Sequence, residues 1–299
     1  MFGKLFGFGK SSSANALPKG KRTNLEKRYT KIAETASQGS MAAVYKATDN
    51  ETGKTVCLKV QDAEKTAAAL ARAASRQSEG EIAKLVVHPH VVKTYDFGYS
   101  TKGEYFIAME FVDGHTLTTV RKSQPLDLTA KVELLAQGAE AIAAVHAAGF
   151  IHRDIGPNNL IVNRSQQVKL IDFGLAVPNI DAFKRPGNRT GTLDYMAPEL
   201  IRREETDERI DNFAFGVTAF EFLTGRMPYD ANPKDRMAVM RSRMNNEPAS
   251  LETVDPTLPQ DLCKLIDKLL AKDPKNRWAK MSMLPDSLRG ISVPVSRSR

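Results

Sequence analysis

The stretch His152-Arg153-Asp154-Ile155-Gly156-Pro157-Asn158-Asn159 brings a carboxylate and a carboxamide close together in sequence, and Asp172-Phe173-Gly174 follows thirteen residues after Asn159. Asn159 and Asp172 are hard oxygen donors of the kind Mg²⁺ takes, and Asp154 is a carboxylate able to accept a proton. Taken singly, each has a plainer explanation: Asp-Phe-Gly is a common turn, Asp154 could cap one, and Asn159 could bond its own backbone. Upstream, Val56-Cys57-Leu58-Lys59 sets a lysine in an apolar strand. Such a lysine either snorkels from a sheet edge or meets a partner. The expected partner is Glu79, with Glu81 as the alternative. Ser37-Gln38-Gly39-Ser40-Met41-Ala42-Ala43-Val44 precedes that strand and, by itself, reads as a turn with a single central glycine.

These residues need elements to hold them. Short strand-like runs occupy 43–47, 55–60, 91–97 and 104–111, separated by turn residues such as Asp49-Asn50 and Thr52-Gly53. Between the second and third runs, residues 64–86 are rich in helix formers, interrupted by Gly80, and predict one helix beside the sheet. From residue 128 the period changes: Val132, Leu135, Ala139, Ile142 and Val145 recur at helical steps, and Gly149 is placed to end the helix just before His152. A hairpin is expected along Leu160–Val162 and Val168–Ile171, flanked by Asn159 and Asp172. A further helix carrying Phe213, Val217 and Phe220 should end at Gly225, with more helix over 234–284.

Two later motifs make the pattern specific: Gly191-Thr192 ahead of Tyr195-Met196-Ala197-Pro198-Glu199, and Asp273-Pro274-Lys275-Asn276-Arg277. In that order, over residues 30–283, the chain resembles the eukaryotic-type serine/threonine protein kinases, with a compact form like that of bacterial members. The resemblance implies an α+β, two-lobed protein kinase fold: a β-rich N-lobe over 30–111 with one main helix, and a mostly helical C-lobe over 115–283. A flexible basic leader (1–29) and a C-terminal tail (284–299) would flank it. It also implies transfer of the γ-phosphate of ATP to protein hydroxyls with Mg²⁺. Lys59, fixed by Glu79, would hold the α- and β-phosphates; Asp154 would be the catalytic base; Asn159 and Asp172 would ligate the metal. Ser37, Gly39, Val44, Cys57, Glu110, Val112 and Ile161 would surround the nucleotide. Glu199 and Arg277 would form a buried pair, Asp211 would steady the catalytic loop, and Thr192 would contact Asp154, leaving Thr190 as the phosphorylation candidate beside Arg153.

Departures from the family pattern are Ser37 and Ala42 in place of glycines, Gly80 in the helix of Glu79, and Gly156 where a lysine usually reaches the γ-phosphate. The last keeps a rival open, a nucleotide-binding pseudokinase scaffold. A kinase-like enzyme for small molecules fits less well, because residues 191–199 match the protein-substrate segment.

The formal charge of +8 over 299 residues is concentrated at the ends. Residues 1–31 hold eight Lys/Arg against Glu26 alone, leaving no basic footprint for nucleic acid in the body. Met1, Phe2, Leu5, Phe6 and Phe8 beside those cations would suit peripheral contact of residues 1–30 with an anionic membrane, against the plainer reading of a solvated tail. Gly3, Lys4, Gly7 and Gly9 break any export-signal core. Cys57 and Cys263 have no disulfide or zinc spacing, and a cytoplasmic setting is expected. Nothing in the sequence calls for an obligate oligomer.

Overall fold

The computed structural model describes residues 22–35, 42–72, 77–123, 125–187, 189–232 and 234–292. The chain divides into two compact units, the first within Met1–Arg76 and Thr94–Phe111, the second within Gln77–Lys93 and Val112–Arg299.

In the first unit, strands β1 (Arg22–Thr23), β2 (Tyr29–Thr35), β3 (Ala43–Asp49), β4 (Thr55–Gln61), β5 (Thr94–Ser100) and β6 (Tyr105–Glu110) form one sheet in the order β1-β5-β6-β4-β3-β2. All pairs are antiparallel except β1 with β5. Period-two alternation divides the sheet into two faces. Ala47, Val56, Leu58, Val60, Phe106 and Ala108 cluster on one face with Leu25 and Tyr29. The opposite face carries Cys57 and Lys59, with Met109 across from Cys57, and Val44 and Ile107 across from Lys59. A lysine in an apolar strand therefore sits away from the core, on the face available for other work.

Residues 22–28, expected to belong to a flexible leader, are folded. Arg22 and Thr23 pair with Tyr99 and Ser100. Asn24 caps the short helix α1 (Leu25–Arg28), and Leu25 is buried. The Arg28 guanidinium makes two bonds to Asp49, at 2.7 and 3.0 Å, and a third to Glu51. A basic residue counted as part of a solvated run is thus tied to the turn after β3.

The single helix expected over 64–86 is two, α2 (Ala63–Arg72) and α3 (Glu79–Leu85). Ser78 starts the second: its hydroxyl accepts from Glu81 N at 3.3 Å, and its own N–H donates to the Glu81 carboxylate at 2.6 Å. Residues 77–93, counted in the N-lobe by the sequence pattern, belong to the second unit. The physical reason is that Ile82, Ala83, Val86 and Val91 join the core of that unit. The strand expected from residue 91 accordingly begins only at Thr94, while Val92 N donates to Leu170 O at 2.9 Å.

The rest of the second unit contains α4 (Leu117–Ser123), α5 (Leu128–Ala147), α6 (Asp181–Lys184), α7 (Pro198–Arg202), α8 (Arg209–Thr224), α9 (Arg236–Asn245), α10 (Leu251–Val254), α11 (Gln260–Leu269) and α12 (Leu284–Arg289). Its strands are β7 (Gly114–Thr116), β8 (Phe150–Ile151), β9 (Leu160–Asn163), β10 (Val168–Leu170) and β11 (Val177–Pro178), arranged as sheets β10-β9-β7 and β11-β8. Helix α8 is buried nearly all round, with Phe213, Phe215, Val217 and Phe220 at 0% exposure, so it is the centre of the core rather than a surface helix. The tail expected from 284 also belongs to the body. Leu284, Pro285 and Leu288 are buried, and Arg289 pairs with Glu133 and Glu140 on α5.

Loss of the Arg28 contacts by Arg28→Ala is expected to cost the first unit about 1–2 kcal/mol, because charge-assisted bonds to a largely buried carboxylate are being removed. Arg164→Ala breaks the exposed pair with Asp113. It should change stability by less than about 0.5 kcal/mol. Urea melts of the two variants measure the difference.

Candidate active site

The catalytic-loop segment begins where α5 ends. Gly149 takes φ +84°, turning the chain after the helix, and β8 leads into His152. Arg153 then adopts φ +70°, a left-handed conformation that costs a side-chain-bearing residue about 1–2 kcal/mol. Asp211, at 1% exposure in the first turn of α8, holds it there. One carboxylate oxygen accepts from Arg153 N at 2.8 Å; the other accepts from His152 N at 2.8 Å and His146 Nε2 at 2.9 Å. Burial alone would raise the Asp211 pKa, but these donors together keep it below the usual carboxylate value.

Asp154 is oriented from both sides. Its Oδ1 accepts from Thr192 N at 3.0 Å and Thr192 Oγ1 at 2.9 Å, and its Oδ2 accepts from Asn159 Nδ2 at 3.1 Å. Asn159 Nδ2 also donates to Asp154 O at 2.7 Å, which leaves the amide oxygen as the group able to face a cation. Gly191 makes the approach of Thr192 possible: its φ is +121°, and a Cβ there would lie 2.5 Å from Arg153 O. Arg153 Nη2 meets Thr190 Oγ1 at 2.7 Å.

The hairpin of β9 and β10 pairs Leu160 with Leu170, Ile161 with Lys169 and Val162 with Val168. It brings the two proposed metal ligands together, because Ile171 N donates to Asn159 O at 2.9 Å immediately before Asp172. Asp172 has φ +65°, and its Oδ1 accepts from Gly174 N at 3.1 Å. The Phe173 ring lies edge-on to His152, 5.2 Å between centroids, and burial lowers the His152 pKa so that a neutral imidazole packs there. Among the described residues no group of three or more His, Cys, Asp or Glu side chains could hold a metal ion unaided. The Asn159 amide oxygen and the Asp172 carboxylate are hard oxygen donors of the kind that would help hold a divalent cation whose remaining positions water or phosphate would fill.

The cap gives Glu79 and Glu81 different surroundings. Glu81 is spent on Ser78 N, whereas the Glu79 carboxylate lies beside the Asp-Phe-Gly segment, 3.4 Å from the position a Gly174 Cβ would take. Val44, Cys57 and Lys59 share the non-core face of the first unit, whereas Glu110, at the end of β6, stands across from Val56 and so belongs to the other face. Burial pushes the Cys57 thiol up to about 11. Ser37 and Gly39 lie outside the described residues. Val112 and Ile161 belong to the second unit. The buried Glu199–Arg277 pair is bidentate, at 2.6 and 2.8 Å. Sequence reasoning missed His146; its only signal was a histidine in the last turn of the helix that leads to His152.

A loop with left-handed Arg153 presents the Asp154 carboxylate and is joined through a hairpin to a left-handed aspartate, Asp172. In comparison with known families, a model described as the protein kinase domain matches residues 31–288, and the chain belongs to that family. Serine/threonine-protein kinase PknD of Mycobacterium tuberculosis (strain CDC 1551 / Oshkosh) is 33% identical over 243 residues, covering 81% of this chain and 36% of the relative. Serine/threonine-protein kinase PknE of the H37Ra strain is 32% identical over 271 residues, covering 90% and 47%. Serine/threonine-protein kinase pkn3 of Myxococcus xanthus is 31% identical over 265 residues, covering 85% and 48%. The chain thus spans less than half the length of these relatives. Among the described residues no helix is long and apolar enough to cross a membrane.

Asp211→Asn places an N–H where a donor already points, so phosphate transfer is expected to fall roughly 10- to 100-fold through misplacement of Asp154. His146→Gln, which can still donate to Asp211, should lose less. Initial rates, with circular dichroism as the check on folding, distinguish them.

Proposed function

We propose that the chain is an ATP- and Mg²⁺-dependent protein kinase acting on serine or threonine hydroxyls. The observation that carries this reading is the Asp154 carboxylate, held by Thr192 and Asn159 with one face of the loop next to Asp172. The substrate hydroxyl oxygen attacks the γ-phosphorus, the bond from that phosphorus to the β,γ-bridging oxygen breaks, and the hydroxyl proton passes to Asp154. Lys59 is assigned to the α- and β-phosphates, and Glu79 to the orientation of Lys59. Asn159 and Asp172 would hold Mg²⁺, which when bound neutralises charge on the phosphates. Val44, Cys57, Glu110, Val112 and Ile161 are assigned to the adenine. The serine/threonine assignment rests on Pro157, on Gly191-Thr192 and on the names of the relatives. Arg153 is placed to pair with a phosphate on Thr190, which is the site where mass spectrometry should find autophosphorylation.

A nucleotide-binding scaffold is the weaker reading. Lys59, Asp154, Asn159 and Asp172 are all retained, and only the cation usual at position 156 is missing. Gly156 has no positive φ, and the nearest atoms a Cβ there would meet belong to the Tyr195 ring, the first at 3.4 Å. A side chain at this position is therefore tolerable, and Gly156→Lys is a fair test.

Lys59→Met, Asp154→Asn and Asp172→Asn should each reduce labelling of casein from radioactive ATP by at least about 100-fold, and chelation of divalent metal should do the same until Mg²⁺ is restored. Wild type should be slow but measurable, with Gly156→Lys raising kcat more than it changes KM for ATP. Wild type indistinguishable from Asp154→Asn, with no rescue by Gly156→Lys, would replace this reading with the scaffold.

A further inference from the structure

Residues 88–92 lie between α3 and β5 in the chain, and they cover the edge of β10 that β9 does not. Val91 stands beside Leu170, Leu170 N donates to His90 O at 2.8 Å, and Val92 N donates to Leu170 O at 2.9 Å. At Val168 the same edge is closed by side chains. Its N–H donates to Gln137 Oε1 at 2.8 Å, and its carbonyl oxygen lies 3.0 Å from His90 Nδ1. The other ring nitrogen of His90, Nε2, lies 3.3 Å from Glu140 Oε2 on α5. Arg289 of α12 meets the second oxygen of that carboxylate at 2.5 Å and also pairs with Glu133.

Both nitrogens of His90 therefore face oxygens that only accept, one a main-chain carbonyl and the other a carboxylate paired with an arginine. A neutral imidazole has a single N–H and would turn a lone pair towards one of them; the imidazolium satisfies both. His88 has the opposite role. Its Nδ1 accepts from His90 N at 3.2 Å, and burial, followed by the charges of His90 and Lys169, holds its pKa below the usual histidine value, against Glu140. Bonds from Arg289 and Gln137 lower the Glu133 pKa, and the His90 charge adds to them. The charged and titratable groups around His90 are thus Glu133 and Glu140 on α5, Arg289 on α12, Lys169 on β10 and His88 two residues before it.

The segment fastened in this way follows α3, which carries Glu79, and β10 leads through Ile171 to Asp172. We propose that His90 is a positioning residue that works as an imidazolium, its two N–H groups holding the segment behind Glu79 against the strand that leads to Asp172. The proposal rests on the kinase reading above, in which Glu79 orients Lys59. Its sign is fixed by the donor count. Both bonds are present while the ring carries two protons, and one is lost as the pH rises and the ring keeps a single N–H. Phosphate transfer then weakens in alkali through α3, with no change at Asp154.

The test uses the full chain with casein and Mg²⁺-ATP and compares wild type with His90→Gln, which has no ring proton to lose. Ring ¹⁵N shifts of labelled histidine should show both His90 nitrogens protonated at about pH 7 and one at about pH 9, with His88 neutral at both. The ratio of wild-type to His90→Gln kcat should be about five- to tenfold at about pH 6.5, the worth of one hydrogen bond, and should fall towards one at about pH 9. Taking the ratio cancels the effects of pH on casein, ATP and Asp154. Protection of the Val92 and Leu170 amides from hydrogen exchange, corrected for the intrinsic rate, should follow the same course. A neutral His90 ring at about pH 7 would overturn the proposal, as would a kcat ratio that stays constant with pH, the result expected of a merely structural residue. If His90→Gln does not fold, Glu140→Gln takes its place: without the carboxylate the His90 ring should lose its second proton at lower pH than in wild type, and an unshifted titration counts against the proposal. If wild type labels casein no better than Asp154→Asn, the kinase reading fails on its own, and the ring shifts and exchange data decide whether a charged His90 holds the segment.

Discussion

The second unit depends on the ionisation of one carboxylate that water does not reach. Asp211 has lost its hydration, which favours the neutral acid, yet it accepts two main-chain N–H groups and one imidazole N–H, which favour the anion more strongly. The N–H groups belong to His152 and Arg153, and the backbone conformation of Arg153 is one it would not choose in isolation. The anion therefore does what a sheet ladder does elsewhere: it replaces solvent for backbone donors that the left-handed turn leaves without a regular partner. Residue 154 emerges from that turn already aimed at Thr192.

Buried charge appears in three forms in this unit, and the differences explain what each is for. Asp211 is neutralised by dipoles and serves backbone geometry. Glu199 and Arg277 neutralise each other through a bidentate pair, with Arg277 also donating to the carbonyls of Ala271, Lys272 and Arg209. That pair joins α7, the start of α8 and the segment after α11, and removing one partner would strand the other. Arg243 forms no ion pair among the described residues and rests on the main-chain carbonyl of Asp194 and the faces of two rings, with the Asp194 charge acting on it from nearby. Phe213 is the common support, with Arg277 at 4.8 Å and Arg243 at 5.5 Å from its centroid. The two arginines thus reach the residues around 194 and 199 from the same aromatic platform on α8.

What could be read from the sequence was whatever local rules determine. The β9–β10 hairpin, the end of α5 at Gly149 and the end of α8 at Gly225 follow from alternation and from glycine at a left-handed position. The joint spacing of the motifs located Asp154, Asn159 and Asp172 on one loop and hairpin. Errors came where distant partners decide. Residues 22–28 look like solvated chain until Asp49 and the edge of β5 are available, and α12 looks like a tail until α5 supplies Glu133 and Glu140. The break between α2 and α3 had a local signal that composition obscured: Ser78-Glu79-Gly80-Glu81 is a capping box, and it also decides which glutamate remains free of the cap. Arg243 had no signal at all, since an arginine among Arg236, Arg241 and Ser242 reads as part of a solvated helix face.

Two glycines near Asp154 carry opposite meanings, and the contrast bears on how phosphate charge is handled. Gly191 is required by geometry: both its φ and the 2.5 Å approach to Arg153 O exclude a side chain. Gly156 is required by neither, because its nearest neighbour is the edge of the Tyr195 ring at ordinary contact distance. The absence of a lysine at 156 is thus a change of chemistry rather than a consequence of folding. Under the proposed reaction, transition-state charge on the transferring group would be met by groups whose positions do not depend on residue 156, and a divalent metal held through Asn159 and Asp172 would supply such charge. Asn159 keeps its place without that lysine, fixed by its own bonds to Gly156 O, Asp154 O and Ile171 N. The loop therefore holds its hydrogen-bonded geometry without a side chain at 156.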